Sequence, residues 1–360
     1  MRIGILAFNF ANRETKHYYQ GFLPRLIVQA NKHEIIVFHH ASSGVNVPKT
    51  INTRSIKLQS RLSTSLLFRE IVFASQLKKY KLDILHSIDS SPPLRSKNIK
   101  IITLHNIAPI ISQSYTSLSS KWFIKRAVKE AEHIIVPTKS YKKDIIKQLD
   151  LNESRISVIY ESTNPNPQQS NTDLFSVYGV SKPYFISIEP IGPGKNFSRI
   201  MESFAKAKKD KSFPHQLVIV GESSKTDSIF QKQRELNLGN NIVFTRYIPQ
   251  GDLTQLLIGA TALLFPSLYE GFGLPILEAF AAGVPVLTSN ISSMPEVAGD
   301  AALLVDPYNV DSIKQGIIKL AMDKELRQEL IDKGCKRMEM FSWSRCARET
   351  INVYETFIGK

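Results

Sequence analysis

Short apolar runs alternate with longer amphipathic stretches along almost the whole chain, and the alternation runs twice. "MRIGILAF", "HEIIVFHH", "LDILHSI", "IKIITLHN", "EHIIVPT" and "RISVIYES" read as buried strands: each is short, β-branched and bounded by polar or turn residues. "HYYQGFLPRLIVQA", "STSLLFREIVFASQLKKY" and "YKKDIIKQLD" lie between them with helical spacing. The series then breaks at "STNPNPQQSNTD", residues 162–173, where Pro, Asn, Gln and Ser replace the apolar residues. It restarts with "KPYFISI", "HQLVIVGE", "NNIVFTRYI", "ATALLFPS", "GVPVLTSN" and "DAALLVDP". Strand-helix alternation specifies a parallel sheet with helices on both faces. We therefore expect an α/β chain of two doubly wound, Rossmann-like domains, residues 1–165 and 174–343, joined by a linker at 166–173 and facing each other across a cleft.

Length agrees, since 360 residues exceed one ordinary core. No apolar run approaches the ~18 residues of a membrane span, and the first residues run straight into a strand rather than a cleavable signal, so the expected compartment is the cytoplasm. Cys335 and Cys346 lie in a helix-rich tail without metal-ligand spacing and read as inert thiols. Charge is segregated. Residues 1–165 hold 25 Lys and Arg against 11 Asp and Glu, whereas the remainder holds 21 of each. The first half thus faces something anionic, such as a membrane surface, a phosphate-bearing acceptor or a nucleic acid, or else carries a solvated basic surface.

In doubly wound sheets ligands collect at the carboxyl ends of the strands. The segment "SLYEGFGLPILEAFAAGVPV", residues 267–286, is placed there, after the strand "ATALLFPS". Gly271 and Gly273 let backbone approach a ligand closely, Pro275 suits the first helical position, and Gly283 suits the stop. N–H groups at such a helix start favour a diphosphate. Glu270 precedes the helix and Glu278 sits about one turn into it, so both border one opening. Carboxylates beside phosphates would repel them, so their better partners are hydroxyls at the two ends of the ligand. That combination describes a nucleotide sugar.

Residues 260–307, "ATALLFPSLYEGFGLPILEAFAAGVPVLTSNISSMPEVAGDAALLVDP", closely resemble the signature region of glycosyltransferase family 4, retaining enzymes of the GT-B fold. Weaker echoes are "TLHN" near 105, "IIVPTKSYKKDI" near 140, "GKN" at 194–196, "LVIVG" ending at 221 and the tail "FSWSRCARETINVYETF". The resemblance implies that Glu270 contacts the donor sugar, that Glu278 holds the nucleotide ribose, and that backbone N–H groups of Phe272 to Leu274, beside Gly271 and Gly273, serve sugar and phosphate oxygens. It places Lys195 and Asn196 at the diphosphate and His105 near the donor sugar. It also implies that the last helix, about 344–360, returns to the first domain, which binds the acceptor.

The chain departs from the family pattern at several points. Gly194 stands where an Arg is expected before Lys195, with Arg199 and Arg246 as alternatives to surface residues for the second cation. Ile186 and Ser187 replace a glycine at the end of the preceding strand, and "FNFANRETKHYY" replaces a Gly-rich loop after the first. Arg13, Thr15 and Lys16 are then candidates to meet a phosphate, and Asn106 replaces the Asp often found beside His105. His33, His39, His40 and His86 lack the geometry of a metal site and read as structural, and Glu296 reads as a helix start.

A retaining hydrolase needs two carboxyl groups about 5 Å apart across the scissile bond, and a pair divided between ribose and sugar cannot supply that. The expected reaction is transfer of a hexosyl group with retention, best matched to mannose from GDP-mannose, with UDP-hexoses next. The departing phosphate helps to deprotonate the acceptor hydroxyl, and Lys195 with the helix N-terminus stabilises it. No metal or other cofactor is expected, and closure of the domains would exclude water. Members similar to this chain extend lipid-linked glycans in surface polysaccharide and lipopolysaccharide synthesis. "SSKWFIKRAVKEAEH", residues 119–133, has the makeup of an interfacial basic helix for peripheral contact with an anionic membrane at its inner face, or of an ordinary amphipathic helix with Trp122 in the core. Nucleic acid is not an expected partner. The alternatives are a nucleotide-sugar epimerase on the same scaffold and a non-catalytic binder of anionic polymers.

Overall fold

All twelve segments read as strands are strands, and every pairing among them is parallel. A computed structural model describes residues 1–7, 13–40, 47–48, 50, 51–58, 73–88, 96–105, 118–163, 173–188, 193–209, 213–221, 226–246 and 248–358. The chain divides into two units, Met1–Thr163 with Phe341–Lys360, and Asn164–Met340. Of the expected linker at 166–173, Asp173 alone lies among the described residues.

The first unit holds a seven-stranded sheet: β1 (Arg2–Ala7), β2 (Glu34–His40), β3 (Thr53–Leu58), β4 (Ile84–Ser87), β5 (Ile99–Thr103), β6 (His133–Val136) and β7 (Ile156–Val158), in the order β3-β2-β1-β4-β5-β6-β7. The inner strands are buried on both faces, which is why they are apolar throughout. The added strand, β3, has the sequence "TRSIKL" with Arg54, Ser55 and Lys57 exposed. It is an edge strand, where charge blunts pairing with other chains and hides the usual pattern.

Helix α1 (Arg13–Gln29) buries Tyr18, Tyr19, Phe22, Leu23, Leu26 and Ile27 over this sheet. The C-terminal helix, Trp343–Glu355, places Trp343, Cys346, Ala347, Ile351 and Tyr354 in the same core. The two helices approach so closely that a Cβ on Gly21 would lie 2.1 Å from the Trp343 indole. The last helix therefore folds with the first unit. It anchors there through His86, whose Nδ1 lies 2.6 Å from the Tyr354 hydroxyl and whose Nε2 lies 2.8 Å from Thr103 Oγ1. Burial pushes the His86 imidazole down to about 3, so the ring is neutral and structural. His39 bonds Ser55 Oγ at 2.8 Å, and His33 reaches Glu355 at 3.3 Å; the His40 side chain is outside the described residues.

Helix α2 (Leu118–Glu130) turns Ala127 and Val128 inward but leaves Trp122 57% exposed, with the Arg126 guanidinium 5.2 Å from its ring centroid. Trp122 is not a core residue of its unit. Helix α3 (Lys139–Leu149) starts on Thr138, whose hydroxyl accepts from the Tyr141 N–H, and ends on Asp150 in the left-handed region.

The second unit holds β8 (Tyr184–Ile188), β9 (Gln216–Val220), β10 (Ile242–Arg246), β11 (Leu263–Phe265), β12 (Val286–Ser289) and β13 (Leu303–Val305), in the order β10-β9-β8-β11-β12-β13. Helix α4 (Phe197–Ala207) buries Phe197, Ile200, Met201 and Phe204 against Ile313, Ile317 and Leu320 of a later helix, Val310–Met322. Helix α5 (Leu274–Ala281) follows β11. Among the described residues no helix is long and apolar enough to cross a membrane.

Candidate active site

The strand order of the second sheet reverses between β8 and β11: the chain runs outward from β8 through β9 to β10, then returns beside β8 and runs the other way. Loops leaving adjacent strands at such a point diverge and open a crevice at their carboxyl ends. The loop after β8 carries Lys195, and the loop after β11 carries Glu270. The two residues are 75 positions apart in sequence and in contact in space. Lys195 Nζ donates to both carboxylate oxygens, at 2.8 and 2.9 Å. The Glu270 side chain is 8% exposed and the Lys195 side chain 20%, so the pair is largely withdrawn from solvent, and the ammonium also lies 5.7 Å from the centroid of the Phe265 ring.

Backbone hydrogen bonds place these side chains. Lys195 closes a 3-10 turn, Pro193–Lys195, and the Gly194 carbonyl accepts from the Leu268 N–H, stitching the β8 loop to the β11 loop. Asn196 follows in the left-handed region at φ 62, and its side-chain amide donates to the carbonyls of Pro266 and Pro307. Its Oδ1 accepts from Arg199, whose guanidinium also lies 5.7 Å from the Tyr308 ring centroid. The Asn196 side chain is 4% exposed and committed within the protein, so its contribution is to pin the loop that presents Lys195. Arg199 is likewise engaged at this pin, whereas Arg246 is exposed at the end of β10.

On the acidic side, Ser292 grips the Glu270 backbone in both directions. Its hydroxyl accepts from the Glu270 N–H at 3.2 Å and donates to the Glu270 carbonyl at 3.1 Å. Ser293 donates to the Phe272 carbonyl at 3.0 Å. The stretch "SSMPEV" reads as a helix start and is one, with Glu296 in the first turn of Met294–Ala298. The two serines before that start were missed because their partners lie about twenty residues upstream.

The chain enters α5 through Gly273 at φ 103, where a side chain would be strained, and this N-cap residue, a glycine, offers the helix no side-chain cap. Pro275 occupies the second helical position rather than the first. At the other end Gly283, at φ 67, closes the helix. Its N–H bonds the Phe280 carbonyl and the Val284 N–H bonds the Ala279 carbonyl, a Schellman pattern. Gly271, Phe272 and Leu274 thus lead from Glu270 into the helix mouth, and Glu278 sits half-buried in the second turn. Ser187 has its hydroxyl on the Leu264 carbonyl at 2.9 Å, linking β8 to β11.

The remaining candidates belong to the first unit. His105 follows β5, with Nδ1 2.7 Å from Glu161 Oε1. Asn106 and the Arg13 side chain lie outside the described residues, as do the side chains of Lys121 and Phe123; Thr15 is buried and Lys16 exposed in the first turns of α1. Among the described residues there is no group of three His, Cys, Asp or Glu able to hold a metal ion.

The pattern of the family described as "Glycosyl transferases group 1" matches residues 175–337, and that of "Glycosyltransferase Family 4" matches residues 28–166. The chain is 27% identical over 361 residues to the O-antigen chain mannosyltransferase B of Escherichia coli, covering 94% of each protein. Its fold is similar to that of the sucrose-phosphate synthase of Thermosynechococcus elongatus, with a TM-score of 0.76 at 17% identity over 99% of this chain and 98% of that one. A TM-score of 0.74 at 15% identity, over 99% and 100%, relates it to Anabaena HepE, solved in complex with UDP-glucose. With family 4 in its first unit, group 1 in its second, and the cation and acid of the signature in contact at the β8/β11 reversal, this chain belongs to the GT-B glycosyltransferases.

Proposed function

We propose that the protein transfers mannose from GDP-mannose to a glycan acceptor, with retention at the anomeric carbon, in cell-surface polysaccharide synthesis. The observation that carries the reading is the Lys195–Glu270 contact at the carboxyl edge of β8 and β11, one turn before α5. In the reaction Lys195 and the α5 N-terminus hold the diphosphate, Glu270 accepts hydrogen bonds from sugar hydroxyls, and Glu278 accepts them from the ribose. His105 of the first unit serves the donor sugar. The bond from C1 to the phosphate oxygen breaks as the acceptor oxygen bonds C1 on the same face, and the acceptor proton passes to the departing phosphate. The protein's main contribution is electrostatic stabilisation of that leaving group. The preference for mannose draws on the E. coli relative; a UDP-hexose draws on the UDP-glucose bound by Anabaena HepE.

A thermal-shift panel of GDP-mannose, UDP-glucose and UDP-galactose tests the donor. A ligand at 100 times its Kd stabilises the protein by about 2.7 kcal/mol, so the preferred donor should raise Tm by several degrees while the others do not. NMR of the product then reads the anomer. If UDP-hexoses alone raise Tm, the mannose assignment is withdrawn; an inverted anomer removes retention.

The acceptor is proposed to be lipid-linked and met at the cytoplasmic face of the membrane, and α2 is the proposed contact. Trp122 projects 57% exposed beside exposed Lys125, Arg126 and Lys129. Each such cation near an anionic leaflet contributes about 1 kcal/mol, which a few of them sum to peripheral binding. The protein is expected to float with phosphatidylglycerol vesicles at low salt and to be released at high salt, and Trp122→Ala with Arg126→Ala to stay at the bottom of the gradient. Equal flotation of the variant would remove α2 from the contact.

A further inference from the structure

His105 closes the carboxyl end of β5, yet its ring is held by other elements. Its Nδ1 lies 2.7 Å from Oε1 of Glu161, which follows β7, two strands away in the sheet. The Tyr18 ring of α1 meets the imidazole edge to face, with centroids 4.6 Å apart. Glu161 is 4% exposed. A buried carboxylate is costly unless it is paired, so an acid kept in this corner calls for a reason.

Four of the groups packed in this corner are neutral. Burial, with the nearby Glu161, raises the Tyr18 hydroxyl and the Cys346 thiol well above their ordinary ranges, and Tyr354 is raised by burial and by Cys346. His86 of β4 is neutral and bound to Tyr354 and Thr103. Tyr18, His86, Cys346 and Tyr354 are thus uncharged near pH 7, and among the described residues the side chain in contact with the Glu161 carboxyl is the His105 imidazole. A carboxylate can only accept, so the contact places a hydrogen on Nδ1 and makes Nε2 the acceptor nitrogen of the neutral ring.

We propose that Glu161 is a positioning residue for sugar transfer: by holding the hydrogen on Nδ1 it fixes the tautomer and rotation of His105, so that Nε2 is the ring atom that meets an oxygen of the donor sugar. The inference rests on the transferase reading given above for His105. Loss of such a carboxylate partner leaves the imidazole in place but in the wrong tautomer, which slows chemistry more than it weakens binding.

The test combines kinetics with ¹⁵N NMR of the full chain, the His105 signals being assigned by their loss in His105→Gln. The wild type is expected to show a protonated Nδ1 in the neutral ring. Glu161→Gln is expected to lower kcat for mannose transfer at least about tenfold, with the donor KM within about twofold, and Glu161→Asp to restore part of the rate. A wild-type ring carrying its hydrogen on Nε2 overturns the proposal whether or not any variant folds. So does Glu161→Gln turning over at the wild-type rate, or losing rate only in step with its melting temperature while the imidazole signals stay unchanged, since either makes Glu161 a structural brace. A wild-type protein that moves no sugar from any donor in the panel overturns the transferase reading, a failure distinct from the spectrum, and removes the catalytic role with it.

Discussion

Glu270→Ala is expected to reduce sugar transfer by about 10³-fold, the loss produced when one preorganised polar group is removed from the charge-developing centre of an active site. The carboxylate is 8% exposed, bound on both oxygens by Lys195 and fixed at its backbone by Ser292, so it meets the ligand with little freedom left to lose. Its proposed partners are hydroxyls of the sugar rather than groups of the nucleotide. GDP binding should therefore survive the substitution while kcat collapses, a separation that isothermal titration alongside initial-rate kinetics would read. Glu270→Gln should behave similarly, because an amide offers one acceptor in place of two and a donor where the sugar also donates. A variant that keeps a tenth of the wild-type kcat/KM would sink the assignment of Glu270 to the sugar, and a variant that loses GDP binding as well would move Glu270 to the phosphates.

The fold was legible in the chain because strands buried on both faces, as the inner ones are, must be apolar along their length, and twelve apolar runs, three of them at sheet edges, stand clear of their surroundings. The strand β3 was illegible for the converse reason: at the edge it carries Arg54 and Lys57 outward, and nothing in "TRSIKL" distinguishes it from a loop. At the site, residue types were legible and partnerships were not. Glu270, Lys195 and the glycine before α5 can each be named from "YEGFG" and "GKN", but the bond between acid and lysine depends on β8 and β11 being neighbours, which strand order alone decides. The same holds for Glu161 and His105, 56 positions apart and brought together by the order β5-β6-β7. An acid directly after the apolar run "RISVIY" was the available signal, and its meaning needed a partner. Asn196 shows the opposite case: the motif carried it toward the ligand, while the structure spends its amide on Pro266 and Pro307.

Lys195→Met should fail in two ways at once. Without the ammonium the diphosphate loses its cation in the β8 loop, since Gly194 supplies none, and transfer is expected to fall by 10²-fold or about that, with GDP affinity falling too. The substitution also leaves the Glu270 carboxylate nearly buried without its counter-charge. Breaking a fully buried pair costs about 3–5 kcal/mol; with a fifth of the Lys195 side chain exposed, we expect roughly 2 kcal/mol in a urea melt. Adding Glu270→Gln to Lys195→Met removes the stranded charge, so the double variant should be more stable than the single one and no more active. That inversion separates folding from function at one pair of residues. It also bears on the resting state: while Glu270 holds Lys195 through both oxygens, an arriving diphosphate has to share the ammonium, and Glu270→Gln, which weakens that hold, should tighten GDP by roughly threefold even as it abolishes transfer. Additive stabilities in the double-variant cycle, together with unchanged GDP affinity in Glu270→Gln, would show that the two side chains act independently and that the contact contributes nothing to donor binding.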